Sequence, residues 1–469
     1  ANNSIAVGNV EQRVASVVGG YSMDGSVISY EVEITDGNYY ERIFGGISES
    51  QDPNSVVKGN KVTISGDSPE FGLVNGGSAA YSSVTENVVI IEAGNGHEVQ
   101  AGFSVNGSAT GNIVNIKGGS IKYITGAYSN SKSATGNIVN INGGSISEYV
   151  AGVDTVSRSA TSNIVNINAG TVKNVYGSVV SNPSGSAENN TVNWKAGDIQ
   201  GNVYGSVIKN SSVYTPVESN GGTFNVYQNS YGTSKELATG KLGGFDYMNF
   251  ILDNADKLDT PIVTAKEVIL ADTPKFGLAV NNTSNLKKDD SIKLLQANSG
   301  LENLTPTLED NYSVDNMPEG IMPIYKSEIS SIQNENNVIT LTYKGFDENL
   351  NRVIFGGEEG TGYVKVAGDS LDHITANDQK LNLNADSYNF YAAVGGFSKT
   401  EDVSGNKVTI DGATVGKEDG EWFTTIDGAT FRNGNVYGGY SVNGSATGNE
   451  VEITNRTDCG YVYGGYSLA

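Results

Sequence analysis

Asn112-Ile-Val-Asn-Ile116, Asn137-Ile-Val-Asn-Ile141 and Asn163-Ile-Val-Asn-Ile167 are one five-residue phrase met three times, at offsets of 25 and then 26 positions. Around it the similarity widens. Phe103-Ser-Val-Asn-Gly-Ser-Ala-Thr-Gly-Asn112 and Tyr440-Ser-Val-Asn-Gly-Ser-Ala-Thr-Gly-Asn449 lie far apart in the chain and differ only in their first residue. A pair of small residues followed by a third recurs at Gly19-Gly20-Tyr21, Gly45-Gly46-Ile47, Gly76-Gly77-Ser78, Ala101-Gly102-Phe103, Gly126-Ala127-Tyr128, Ala151-Gly152-Val153, Gly177-Ser178-Val179 and Gly205-Ser206-Val207. It returns at Gly356-Gly357, Gly395-Gly396-Phe397, Gly438-Gly439-Tyr440 and Gly464-Gly465-Tyr466. Such regular self-similarity marks a stacked repeat.

Within a unit, short β-branched runs alternate with Gly, Ser and Asn, and no stretch could sustain a helix. Asn112–Ile116, Ser120–Ile124 and Gly126–Ser129 read as three short strands. One such unit has an apolar face and nothing to bury it against, so successive units must stack and share a core. The arrangement that follows is an all-β solenoid, a parallel β-helix in which each unit of about 25 residues is one coil rising about 4.8 Å onto the next. A propeller blade needs four longer antiparallel strands, and a leucine-rich solenoid needs a leucine spacing that is missing.

Alternation then sorts the side chains. Val32/Ile34, Val62/Ile64, Val89/Ile91, Val114/Ile116, Val139/Ile141, Val165/Ile167, Val192/Trp194, Val408/Ile410 and Val451/Ile453 are the expected inward pairs. Two residues earlier, on the same side, stand Asn60, Asn87, Asn112, Asn137, Asn163, Asn190, Asn406 and Asn449. Asparagine also favours a turn before a strand. The preferred reading is a buried ladder, because stacked amides suit parallel strands in register. The outward positions Val88, Ile113, Ile138 and Ile164 form an apolar stripe, read as a packing or binding surface.

The chain has 469 residues, one cysteine and two histidines, and 52 acidic against 29 basic residues give a net charge of −23. So acidic a chain without a basic patch excludes a general phosphate binder, and nucleic acid is not an expected partner. Its apolar runs are too short for a transmembrane segment. Cys459 alone rules out an internal disulfide and any metal site built on several cysteines, and no cofactor is expected. The repeat organises residues 1–227 and 351–469. Between them, residues 228–350 lose its rhythm and read as a β-rich insertion that packs along the coils or forms irregular ones. The final coil is expected to be open, as in a fragment of a longer protein.

Val436-Tyr-Gly-Gly-Tyr-Ser441, repeated at 462–467, together with Gly-Ser-Ala-Thr-Gly-Asn and the Val-x-Ile strand, resembles the repeat of autotransporter (type V secreted) passenger domains of Gram-negative anaerobes. The resemblance covers residues 1–227 and 351–469. It implies a right-handed β-helix displayed on the bacterial cell surface, exported through an outer-membrane translocator barrel expected in the full-length protein. It further implies an adhesin that binds a host protein or glycan.

A polysaccharide lyase or hydrolase would place carboxylates together on the outer face. Around the inward valines the outward residues include Asn115, Asn140 and Asn166 and no acid cluster. Glu31/Glu33 and Glu450/Glu452 read as solvated charge, and Asp289-Asp290 as a charged turn. His97, His373 and the Asp372-His373 pair form no recognisable catalytic or metal pattern. No catalytic, cofactor or metal residue is therefore assigned; the alternatives are a polysaccharide-cleaving enzyme and a spacer stalk. Aromatic residues recur at Tyr21, Phe103, Tyr128, Phe397, Tyr440 and Tyr466, and at Phe44, Tyr176, Tyr204, Phe355, Tyr437 and Tyr463. They are expected to pack in core or corners. Cys459 reads either as free and reactive or as buried.

Overall fold

The computed structural model describes residues 4–468 other than 8–12, 36–38, 67–68, 157–158, 183–184, 211–212, 218–219, 229–234, 253–259, 272, 282–285, 309–318, 348–349, 367–370, 372–373, 417–421 and 426–428. The Asp372-His373 pair lies outside the described residues. The fold is a parallel β-helix of about 15 turns. Among the described residues no helix is long and apolar enough to cross a membrane.

One coil consists of Ile113–Ile116, Ser120–Ser129 and Ala134–Thr135. The two strands expected at Ser120–Ile124 and Gly126–Ser129 are thus one bent strand. The third side of the coil comes instead from the Ser-Ala-Thr-Gly-Asn motif. Its parts have separate tasks. Ala109 and Ala134 are fully buried in a small-residue cluster along that side. Gly111 and Gly136 turn the chain at φ +62° and +63°, a left-handed conformation in which a side chain is strained. The asparagine then opens the next strand. Seven two- or three-residue strands, from Val27–Ile28 to Ala187–Glu188, stack into this third sheet.

Coils stack residue on residue. Val114 lies over Val89 and under Val139, and the series extends from Val32 to Val192 without slippage. The inward pairs are buried from Val32/Ile34 to Val192/Trp194 and at Val408/Ile410, whereas Ile453, in the last coil of the chain, is 40% exposed. The ladder is present. Asn60, Asn87, Asn112, Asn137 and Asn163 each donate Nδ2 to the Oδ1 of the next asparagine at 2.9–3.0 Å, ending on Asn190. The same Oδ1 atoms accept the backbone N–H of the preceding asparagine. Each Nδ2 also reaches a carbonyl of the short third sheet, as from Asn137 to Ala109 at 3.1 Å. Asn406 and Asn449 repeat the link at 2.8 Å. The amides therefore tie two sides of each coil to the coil beyond it.

A second ladder runs along the outside. Asn140, Asn166, Asn193, Asn225 and Asn249 each donate to the asparagine before them, starting from Asn115, at 2.6–2.8 Å. It carries the helix past residue 228. Thr223–Gln228, Tyr247–Leu252 and Lys275–Asn281 pair in parallel, as do Lys235–Gly243, Val263–Ile269 and Ser291–Ala297. The first part of the 228–350 segment is therefore a run of irregular coils on the same axis. An antiparallel hairpin, Ile329–Glu335 with Val338–Tyr343, then closes on Ser291–Ala297. One apolar core extends from Val17 through this segment to Val436.

Candidate binding cleft

The bend in the long strand creates a concave outer face. In Ser120–Ser129, Ile121, Ile124 and Ala127 point into the interior, which leaves Tyr123, Thr125 and Tyr128 on the outside of the bend. Stacking extends each of these into a rank along the axis. The first is Leu73, Glu98, Tyr123, Tyr149 and Asn174. The second is Phe44, Asn75, Gln100, Thr125, Ala151, Tyr176 and Tyr204. The third is Ser78, Phe103, Tyr128, Asp154, Val179 and Val207.

What fills the bend changes along the molecule. Around residues 353–440 the middle rank carries Phe355 and Tyr437, and a hairpin, Trp422–Thr424 with Thr430–Arg432, lays Phe423 and Phe431 over them to make a closed aromatic cluster. Near residue 200 another hairpin, Val203–Asn210 with Val213–Pro216, brings Tyr214 onto Tyr176 at 5.2 Å and Tyr149 at 5.7 Å. Towards the N-terminus the middle rank holds no ring at Asn75, Gln100, Thr125 or Ala151. A cleft of about 870 Å³ opens from the coil of Gln100 to that of Tyr176.

Its walls are Phe103, Tyr123, Tyr128, Tyr149, Tyr176 and Tyr214, with polar groups from Glu98, Gln100, Glu148, Asp154, Asn174 and Lys209. Phe103 and Tyr128 stack at 5.0 Å with planes 10° apart, and Tyr123 meets Tyr149 at 5.2 Å. His97 touches the edge of Tyr123 at 5.5 Å. Tyr149 and Tyr176 are buried, while Phe103, Tyr123, Tyr128 and Tyr214 are half-exposed. Asp154 sits deep in the wall, 3.8 Å from the Lys209 ammonium. Burial pushes its carboxyl up to about 6, only partly countered by Lys209. The phenols of Tyr149 and Tyr176 are raised well above the usual range, mainly by burial. At the rim, Lys173 pairs with Glu148 at 3.2 Å and Lys122 lies 5.1 Å over the Tyr123 ring.

Of the residues marked in the sequence, the aromatic positions Phe103, Tyr128 and Tyr176 reach the cleft. The apolar stripe does not. Val88, Ile113, Ile138 and Ile164 stack in register on a neighbouring side, half-buried. The eight ladder asparagines are structural by position. Glu31 faces Lys61 at 3.8 Å, and Lys407 takes both Glu450 and Glu452 at 3.0 and 2.9 Å, so those carboxylates are ion-paired surface charge. Cys459 is half-buried, and burial raises its thiol. Among the described residues no group of three or more acidic, histidine or cysteine side chains is placed to hold a metal.

Glu98, Tyr123 and Tyr149 carry no repeated marker, and Asp154 escaped the sequence reading for a definite reason. The marker Ala151-Gly152-Val153 is one residue out of step. Gly152, not Ala151, occupies the place of Gly126 and Gly177, so that Asp154 rather than Val153 stands beside Tyr128. The extra residue of this coil is absorbed where the register shifts between Ile121 and Tyr123. Aligning the coils on the third residue of the Gly pair without that bulge hides the carboxylate. Comparison of the chain with protein-family models, with curated proteins and with solved structures finds no match.

Proposed function

We propose that this chain is the displayed region of a bacterial surface adhesin of the autotransporter passenger type, and that it binds a host glycan in the tyrosine-walled cleft. The observation that carries the reading is the contrast between two equivalent bends, one closed by its own hairpin and the other left open between half-exposed aromatic walls. Concave sites with aromatic walls and a few placed polar groups are the usual form of a small-molecule site. Rigid stacked strands would hold the cleft at fixed geometry while the hairpin around Tyr214 varies its mouth. The repeat motifs supply the cell-surface and export part of the proposal.

Retention of the protein on an array of host glycans and matrix proteins tests it. Specific glycan binding is expected, and Tyr123→Ala with Tyr128→Ala should weaken it by about tenfold or more, since each removes a half-exposed ring from a wall and lies outside the main apolar core. Binding unchanged in that double variant, or no retention on any glycan, would overturn the reading.

Asp154 favours a second reading, hydrolysis of a glycoside. A buried carboxyl that keeps its proton up to about 6 has the character of a general acid. If it acts so, incubation with oligosaccharides releases reducing ends, the rate declines as pH rises through about 6, and Asp154→Asn abolishes it. Retention without turnover leaves binding as the function.

A further inference from the structure

A row of polar groups that the protein does not match runs along the middle rank, and one of them, Gln100, lines the cleft. Asn75, Gln100 and Thr125 succeed one another in the middle rank, each no more than 5% exposed. Among the described residues, Asn75 Oδ1, Gln100 Oε1 and Thr125 Oγ1 have no hydrogen-bond partner. Buried polar atoms are nearly always paired, so three unmatched ones in file, about 4.8 Å apart, need an explanation. Gln100 lines the cleft, and its amide already donates to Glu98, which leaves its carbonyl oxygen as the unmatched atom. The equivalent positions in the closed bend are Phe355, Val394 and Tyr437, where no amide stands.

Shape and charge narrow the occupant. The lining residues come from the same positions of four successive coils, Asn95–Ser104, Ser120–Ser129, Ile138–Thr155 and Ile164–Val180, so the cleft is elongated along the axis over three rises of about 4.8 Å. That step is close to the advance of one sugar unit in an extended chain. Three carboxylates line the walls, and the one cation among the lining residues, Lys209, is taken by Asp154. A polyanion would meet acidic walls on a molecule of net charge −23. Hydroxyl groups, which both donate and accept, can satisfy Gln100 and the neighbouring carboxylates together.

We propose that the cleft takes a chain of uncharged pyranose units lying along the solenoid axis, about one unit per coil, with Gln100 as a floor contact. This rests on the glycan-binding reading and adds ligand charge, length and direction to it. Titration calorimetry with cello-, manno- and xylo-oligosaccharides from dimer to hexamer, set against oligogalacturonates and heparin fragments of matching length, tests it. At least one neutral series should tighten by about tenfold from dimer to tetramer and then level off, and the anionic series should bind at least about tenfold more weakly. Gln100→Leu should weaken the neutral series with little change in the thermal midpoint, because it removes an unmatched oxygen while the half-exposed Glu98 that loses the amide's bond can turn to water. Equal or tighter binding of the anionic chains would sink the charge argument and leave glycan binding standing. Equal affinity for dimer and hexamer would remove the axial placement, and unaltered affinity in Gln100→Leu would remove the floor contact. If neither kind of sugar binds, both readings fall together.

Discussion

Asparagine serves two roles in this molecule, and its side of the strand decides which. Asn137 is fully buried, donates to Asn163 and to the Ala109 carbonyl, and accepts from both the side chain and the backbone of Asn112. Truncating it strands groups on two neighbouring coils. Asn137→Ala is expected to lower the free energy of unfolding by about 1–3 kcal/mol, measured by urea denaturation. Asn166, in the half-exposed outer ladder, gives and takes one bond each with Asn140 and Asn193. Water can replace its partners, so Asn166→Ala should cost clearly less, and equal losses at the two sites would show that burial is not what makes the inner ladder strong. The glycines of the marker belong to the same device. A Cβ on Gly77 or Gly102 would come within 2.6 or 2.7 Å of the Asn87 or Asn112 amide. The pairs recur because the backbone passes directly over the ladder.

Among the elements, the hairpins decide what the repeat becomes. The strand that carries the Gly pair recurs in both sets of coils, and the segment laid across it covers the one around Tyr437 and leaves the one around Tyr123 open. The irregular segment is itself locked by one buried ion pair. Arg352 and Glu328 are fully buried 2.5 Å apart, at the junction where the hairpin ends and the regular coils resume. Glu328 also accepts the backbone N–H of Tyr325 and Asp347, and the guanidinium packs 4.6 Å from the Phe346 ring. Arg352→Leu leaves that carboxylate buried and unpaired, and is expected to cost about 3–5 kcal/mol. A double replacement with Glu328→Leu should recover much of this loss. A double variant as unstable as the single one would mean that the pair contributes more than mutual neutralisation.

For the molecule as a whole, the continuous core sets the expectation. Regular coils, irregular coils and resumed coils share one apolar interior from Val17 to Val436. Trp194 is buried within it at 2% exposure and Trp422 is 57% exposed on the outer hairpin. In Trp422→Phe the remaining fluorescence reports Trp194 alone, and its urea transition should coincide with loss of the far-UV β signal. Separate transitions would show that the solenoid melts in sections, as nearest-neighbour repeat arrays can.

The stacking was legible in the sequence because it depends on local periodicity. Val-x-Ile alternation, Ser-Ala-Thr-Gly-Asn and the Gly pairs each state which way a residue must face, and every coil repeats the statement. The coils continuing past residue 228 were harder to see. There the long apolar side chains of Tyr247–Leu252 and Ser291–Ala297 fill the interior without the glycine marker, so the pattern is lost while the stacking is kept. Only the tertiary structure made the cleft. It assembles side chains from four coils and a hairpin, and it depends on one bulge that moves Asp154 out of its apparent alignment and on rings missing from the middle rank. Periodicity specifies a direction for each side chain, whereas a cavity is set by what distant segments fail to fill, and no local pattern encodes that.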